Sequence, residues 1–440
     1  MINWGPTSER TSLSRSAQVV SIPLRLAAPQ PGIEAVSSLF LFHTESNVGY
    51  SIERAERVFY DLGLQLSGGD ASKIHFAFKS LDGGFPRSLP PSFRNVIAYD
   101  FLDTSATNTE ALARYVKEHA IDLVFIYDIQ PVDPLFRPLR EAGVRTILSF
   151  WGAPIASYAP SWKLALKQWQ IRLSHSKVDG LIFESRAMAD LGVRGRGIPP
   201  EMIDVIYNGV DPSLYKPERS DCVYDAFNLP RDRKIVVYAG HMEPRKGLPT
   251  LVEAAIELLH RRRRRDVCFL ICGDKGNERK PYEAMYAGLE IGNGICFAGY
   301  RSDLVRIYPS CYCGVIPSSG WDSFPRSPLE MAASGLPVIA SRLQGLPESV
   351  LDHETGLLFE PGNAIELANC IETLLDDPLQ AARYGHRGRE RCETELSLDT
   401  QQKRLASVCR KWLQTSPPRT ASLALTEASA AASPLTPVVK

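Results

Sequence analysis

Apolar residues in this chain gather in short runs without alternation, at 36–43, 73–80, 95–101, 121–128, 145–150 and 180–185. Runs of that length with no polar face fit strands buried on both sides. Between them the apolar period lengthens to that of a helix, at 51–62, 111–119 and 134–142, and strand alternating with helix predicts a parallel sheet covered by helices. The pattern then restarts. Runs at 234–239, 268–273, 294–300, 313–317 and 353–359, with helical stretches at 249–260 and 364–375 and a last one at 398–413, predict a second unit of the same kind. The fold class read from this is α/β, two Rossmann-like domains with parallel sheets.

In such sheets ligands sit beyond the carboxyl ends of the strands. In the first unit that rule selects the turn with Asn47, Gly49 and Tyr50, and the strand ends with Asp128, Trp151 and Gly152. No G-x-G-x-x-G follows the first strand, so a dinucleotide is not indicated. Gly49 fits close approach to a ligand as well as an ordinary turn, and Trp151 fits packing as well as a platform for a sugar. The stretch 160–177 is helical, with Trp162, Ala165, Leu166, Trp169 and Leu173 on one stripe; a helix packed on its domain is the favoured expectation and a membrane-surface helix the alternative.

The stretch 317–348 carries the densest chemistry. Ser327 before Pro328, three residues ahead of Glu330, has the spacing of a capping box, and Gly335 with Pro337 ends a helix of about two turns. Asp322 lies in the loop before it, so backbone donors and two acids converge there. Glu330 could equally serve only the cap, and Asp322 only a turn. A second candidate is the turn from Gly240 through His241, Arg245 and Lys246 to Gly247, where a glycine-flanked loop and two cations precede a helix N-terminus and suit an anion.

The run Asp322-Ser-Phe324-Pro325-Arg326-Ser-Pro-Leu-Glu330, followed by Ser334-Gly-Leu-Pro-Val-Ile-Ala-Ser341 and Gly345-Leu-Pro-Glu348, resembles the acid-seven-acid motif of family-four retaining glycosyltransferases, whose fold is GT-B. Asn208-Gly-Val-Asp-Pro212 also matches, and the resemblance spans roughly 36–413. It implies that Asp322 and the backbone that follows it, through the donor-binding positions Phe324, Pro325 and Arg326, hold a donor sugar while Glu330 holds the ribose. Asp322 stands where Glu is usual. The turn Gly240–Gly247 resembles the diphosphate motif G-R-x-x-x-x-K-G: Lys246 matches, His241 replaces the Arg, and Arg245 is the candidate substitute. Gly299 and Tyr300 fall near the nucleobase by the same resemblance. The implied reaction is retaining transfer, with Asp322, Lys246 and Arg245 as its catalytic set, from a nucleotide sugar to a saccharide or lipid-linked acceptor in surface polysaccharide or glycoconjugate synthesis. The implied acceptor side is Asn47, Gly49, Tyr50, Asp128, Trp151 and Gly152, across a cleft. A sugar phosphorylase, a nucleotide-sugar epimerase or a non-catalytic nucleotide-sugar-binding protein are the alternatives, since fold does not set function.

Composition narrows the picture. The chain's 440 residues carry 50 basic and 50 acidic side chains, which argues against nucleic acid as a partner and leaves membrane contact to local features. The nine cysteines all follow position 221 without a C-x-x-C, as expected of reduced thiols in a cytoplasmic protein. No D-x-D occurs, and neither cofactor nor metal is expected. The expected organisation is a disordered tail at 1–34, an acceptor domain at 35–213, a donor domain at 214–395, a returning helix at 396–414 and a second tail at 415–440. The run His260-Arg-Arg-Arg-Arg-Arg265 reads as the cation-rich end of a helix.

Overall fold

The computed structural model describes residues 35–152, 160–276 and 278–415. The two expected tails lie outside the described residues, apart from Thr415, which closes the last helix.

The first sheet has seven parallel strands: β1 (Ser38–Phe42), β2 (Ile74–Phe78), β3 (Val96–Ala98), β4 (Leu123–Tyr127), β5 (Thr146–Trp151), β6 (Gly180–Phe183) and β7 (Ile203–Val205). Their order is β3-β2-β1-β4-β5-β6-β7. Aromatic side chains make one face of it: Phe40 lies 5.3 Å from Phe76 and 5.5 Å from Phe59 of the helix Tyr50–Ser67, centroid to centroid. Continuous apolar strands are possible because helices cover the sheet on both sides. The end of the helix Leu398–Thr415 packs on this unit, with Gln402 Nε2 donating to the Val58 carbonyl at 2.8 Å and Lys411 Nζ 2.8 Å from Asp204.

The second sheet has six parallel strands: β8 (Lys234–Ala239), β9 (Val267–Cys272), β10 (Ile295–Gly299), β11 (Cys313–Ile316), β12 (Val338–Ser341) and β13 (Gly356–Phe359), in the order β10-β9-β8-β11-β12-β13. Its core joins Val236, Phe269, Val315, Ile339 and Phe359 to Leu251 and Leu258. The described residues divide into 208–400 and 35–207 with 401–415. The division falls at Tyr207 and Asn208, ahead of the expected boundary at 213–214. The reason is bonding: Asn208 Nδ2 donates to the Phe324 carbonyl at 2.9 Å, Val210 N to Leu396 O at 2.9 Å, and Arg389 Nη1 to Tyr215 O at 2.9 Å, tying 208–215 to the second sheet.

Two helices, Arg186–Arg196 and Pro378–Thr394, were not expected. Their buried faces set Gly192 and Gly195 beside Met188 in one, and Ala381, Gly385 and Gly388 beside Tyr384 and Cys392 in the other, so few large apolar residues mark them. The arginine run after helix Leu248–Ile256 is a paired network: Arg262 reaches Glu257 and Glu372, and Arg264 reaches Asp266 and Asp376 at 2.8 Å each.

Candidate active site

In the second sheet the chain leaves β8 toward β9 on one side and returns to β11 on the other, so the carboxyl ends of β8 and β11 form the topological switch point where ligands of open α/β sheets bind. The turn after β8 carries Lys246, and the loop after β11 carries Asp322. Gly247 brings them together. Its φ is +72° and a Cβ there would stand 1.6 Å from the Pro317 carbonyl oxygen, so only glycine lets the two loops touch. Ser319 N and Gly320 N then donate to the Arg245 carbonyl at 2.8 and 3.0 Å.

Across that contact Lys246 Nζ donates to Asp322 Oδ2 at 2.8 Å, and Ser318 Oγ donates to the same oxygen at 2.7 Å. Asp322 is 2% exposed, its backbone N–H given to Gln344 Oε1 at 3.0 Å. The Arg245 side chain is engaged elsewhere than expected. Its guanidinium lies 4.8 Å from the Trp321 ring centroid, donates to the Trp321 carbonyl at 3.2 Å and pairs with Glu243 at 2.6 Å. Arg245 therefore clamps the loop after β11.

Glu330 is 4% exposed on the helix Arg326–Ala333. The expected capping box is not formed. Pro325, extended at φ −66° and ψ 153°, is the N-cap, no side chain caps the helix, and Ser327 is its second residue. Proline's fixed φ starts the helix two residues early. Glu330 thus sits past the first turn of the helix. Of the expected donor-sugar set, the Phe324 side chain is fully buried and Arg326 Nη1 donates to the Gly209 carbonyl at 3.3 Å, so both side chains are engaged within the protein. Helix Pro378–Thr394 backs this element, with Cys392 Sγ on the Leu329 carbonyl at 3.5 Å and Arg389 Nη1 on the Ala333 carbonyl.

Toward the far edge, β8 and β9 run into Gly240 and Gly273, beside Gly299 at the end of β10. Gly273, at φ +145°, would drive a Cβ to 1.8 Å from the Gly240 carbonyl. This ledge of bare backbone is flanked by Tyr300, 52% exposed, with Lys275 Nζ 5.0 Å from its ring centroid. His241 lies beside it, its pKa lowered first by burial and then by the positive charge of Lys275.

In the first sheet the switch point lies between β1 and β4, and His43 Nδ1 donates to the Tyr127 carbonyl there at 3.1 Å. Asn47 is spent on structure: Nδ2 donates to Gly83 O at 2.9 Å and Phe85 O at 3.1 Å, while Oδ1 accepts from Arg87 N at 2.9 Å. Gly49 starts the helix Tyr50–Ser67, and Tyr50 is exposed with Arg54 over its ring. Asp128 adopts a left-handed backbone at φ +58°, and its Oδ1 accepts from Gly152 N at 2.7 Å, binding the ends of β4 and β5 together. For Trp151 the packing alternative holds and its place on the expected acceptor side does not: it is 2% exposed and stacks on Phe183 at 5.8 Å as a core residue. Strand alternation explains this, since Trp151 and Phe183 are paired neighbours facing the same helix layer.

Two family models match the chain: "Glycosyltransferase Family 4" over residues 55–214 and "Glycosyl transferases group 1" over residues 224–391. The chain belongs to glycosyltransferase family 4. Among relatives, a D-inositol 3-phosphate glycosyltransferase of Corynebacterium efficiens is 33% identical over 206 residues, covering 45% of this chain and 48% of that protein. A lipopolysaccharide 1,2-N-acetylglucosaminetransferase of Salmonella typhimurium is 30% identical over 189 residues, 41% of this chain and 49% of that protein. The chain thus spans about half the length of the curated relatives it matches. Among solved structures, a glycosyltransferase from Rickettsia africae superposes with a TM-score of 0.73 at 18% identity, over 87% of this chain and 100% of that one. Anabaena HepE in complex with UDP does so at 0.68 and 19%, over 86% and 100%. These likenesses establish GT-B architecture.

Within this family 4 glycosyltransferase several contacting residues had no mark in the sequence. Gln344 meets Asp322 because β12 lies beside β11, and Ser318, four residues before Asp322, meets it within one loop. Gly273 had a signal that could have found it, a glycine closing a buried run as Gly240 and Gly299 do. Glu184, buried after β6, places Oε1 3.2 Å from where a Gly152 Cβ would stand, as does the Tyr127 hydroxyl. No feature of the sequence distinguishes it from a helix-start acid.

Proposed function

We propose that this glycosyltransferase moves a sugar from a nucleoside diphosphate sugar, held by unit 208–400, to a hydroxyl of a saccharide or lipid-linked saccharide bound at the strand ends of the other unit. The observation that carries the donor half is the Lys246 ammonium fixed at the β8 and β11 switch point, one loop away from buried Glu330. An ammonium there meets developing charge on the departing diphosphate, Glu330 accepts ribose hydroxyls, and the glycine ledge lets backbone approach the nucleotide. In this reading the reaction retains anomeric configuration and persists in chelator, the leaving phosphate oxygen itself taking the acceptor's proton.

The first test is a thermal-shift screen of nucleotide sugars, starting from uridine donors because the Anabaena neighbour holds UDP. It is followed by calorimetry on Lys246→Met and Glu330→Gln. Both should weaken nucleoside diphosphate binding, Lys246→Met by on the order of tenfold to a hundredfold. Unchanged affinity in both would remove the donor assignment.

One observation also favours a membrane-resting form on the cytoplasmic face. The stripe Trp162, Leu166, Trp169 and Leu173 on helix Ser161–Leu173, expected to be packed, faces outward: Trp162 is 66% and Trp169 60% exposed, and Ile171 alone of this helix is buried. Periodicity shows that one face is apolar without showing that anything covers it. Lys163, Lys167 and Arg172 accompany the stripe with no acid in the helix, a composition suited to an anionic bilayer surface. No described helix is long and apolar enough to cross a membrane. Co-sedimentation with phosphatidylglycerol vesicles should be lost in Trp162→Ser/Trp169→Ser; equal sedimentation of that variant would refute the contact.

A further inference from the structure

Asp322 is assigned by resemblance to the donor sugar, but its surroundings describe a different task. Its Oδ2 takes two hydrogen bonds from protein, from Lys246 Nζ at 2.8 Å and Ser318 Oγ at 2.7 Å, and the residue is 2% exposed. Ser318 is itself fixed, its carbonyl accepting from Ser341 Oγ at 2.6 Å, and the Asp322 backbone is held by Gln344 Oε1. The lysine is the more accessible partner, with 17% of its side chain exposed against 3% for the aspartate. A carboxylate shorter by one methylene than the usual glutamate thus ends on the lysine.

We infer that Asp322 is a positioning residue for Lys246, holding the ammonium aimed at the donor's diphosphate. The inference rests on the donor reading above and deepens it. A lysine side chain loses considerable rotamer freedom when it grips a phosphate. The pair with Asp322 removes that cost before the nucleotide arrives. Lys246 carries three N–H donors, so one given to Asp322 leaves two for phosphate oxygens. Simple Coulomb reasoning predicts the opposite sign: deleting a negative charge beside an anion site should tighten anion binding. The two accounts therefore separate on direction.

The experiment is calorimetric titration of uridine diphosphate and guanosine diphosphate into full-length wild type, Lys246→Met, Asp322→Asn, Ser318→Ala and the Lys246→Met/Asp322→Asn double variant, with steady-state turnover alongside. For whichever diphosphate wild type binds, Asp322→Asn should weaken binding by about tenfold and Ser318→Ala by about threefold, because one loses the anchor's charge and the other only its brace. The double variant should bind no more weakly than Lys246→Met alone, since the aspartate acts only through the lysine. Ser318→Ala keeps the ion pair and guards against an Asp322→Asn that folds poorly. Wild-type or tighter binding by Asp322→Asn with only turnover reduced would return the residue to the sugar. Losses that multiply in the double variant would show independent action, and either result overturns the inference. If Lys246→Met itself binds as wild type does, or wild type binds neither diphosphate, the donor reading falls and this inference with it.

Discussion

Two carboxylates are buried to the same degree in this molecule and are treated in opposite ways. Asp322, in the second unit, has an ammonium at 2.8 Å and a hydroxyl at 2.7 Å on one oxygen. Glu56, in the helix Tyr50–Ser67 of the first, is 0% exposed, receives the Ser88 hydroxyl on Oε2, and has no partner for Oε1. Burial pushes its pKa up to about 7, with the Ser88 hydrogen bond pulling the other way. Burial alone does not make a carboxylate a working anion. The partner decides, and the partnered carboxylate is the one at the switch point between β8 and β11.

The largest effect comes from erasing that difference. Lys246→Met leaves Asp322 buried without its cation and should cost on the order of 3 kcal/mol of stability at neutral pH. Urea denaturation of wild type and variant at pH 7 checks this; a variant with the wild-type midpoint would contradict it.

Glu56→Gln tests the other side of the comparison. Glu56 has a folded pKa near 7 against 4.5 for the ordinary group, so its proton is held more tightly in the folded state. Stability from this group is fully present below about pH 4.5 and is lost as pH rises through 7, a difference on the order of 3 kcal/mol. Glutamine keeps an acceptor for Ser88 without the charge. The variant should match wild type near pH 4.5 and exceed it at pH 8, and equal midpoints at pH 8 would show that Glu56 is solvated.

The same contrast explains what was legible beforehand. Both sheets were readable because runs such as Ser38–Phe42 and Val267–Cys272 are apolar on both faces, and burial on both faces is what parallel sheets demand. Lys246, Gly247 and Asp322 were readable as motif positions. Their contact was not, because it depends on β8 lying beside β11, a pairing between positions 76 residues apart. Glu56 gave no sign at all, since one acid on an amphipathic helix looks the same whether it faces water or Ser88. Helix Pro378–Thr394 was invisible for a related reason: its buried Ala381, Gly385 and Gly388 carry little hydrophobic signal.

A smaller effect belongs to Asp128, which sits at the first unit's strand ends as Asp322 does at the second's, but with a backbone N–H as its partner. Asp128→Ala removes the acceptor of Gly152 N and puts alanine at φ +58°, and should cost about 1–2 kcal/mol. Asp128→Asn keeps an acceptor and tolerates that φ, so its thermal midpoint should stay near wild type. Equal losses in the two would mean that the charge, and not the hydrogen bond, holds β4 to β5.

The smallest predicted effect is the one that connects the comparison to binding. His241 stands where the family's diphosphate motif has arginine, and its pKa is lowered chiefly by burial and then by Lys275, with Glu243 opposing and Lys246 and Arg245 adding to the repulsion. The imidazole is therefore mostly neutral at pH 7, and the site's fixed cation is Lys246. Binding a diphosphate beside it favours the imidazolium, so binding takes up protons and affinity should rise as pH falls below the usual histidine range. The diphosphate's own terminal ionisation overlaps that window. The informative quantity is thus the difference between wild type and His241→Asn, measured with an intact nucleotide sugar, whose diester phosphates do not titrate there. Wild type should gain severalfold in affinity over His241→Asn between pH 7.5 and pH 5.5, on the scale of one exposed charge contact. His241→Arg should show the higher affinity at both pH values with no such dependence. Parallel pH profiles for wild type and His241→Asn would place the imidazole away from the phosphates and leave Lys246 as the side-chain charge that meets them.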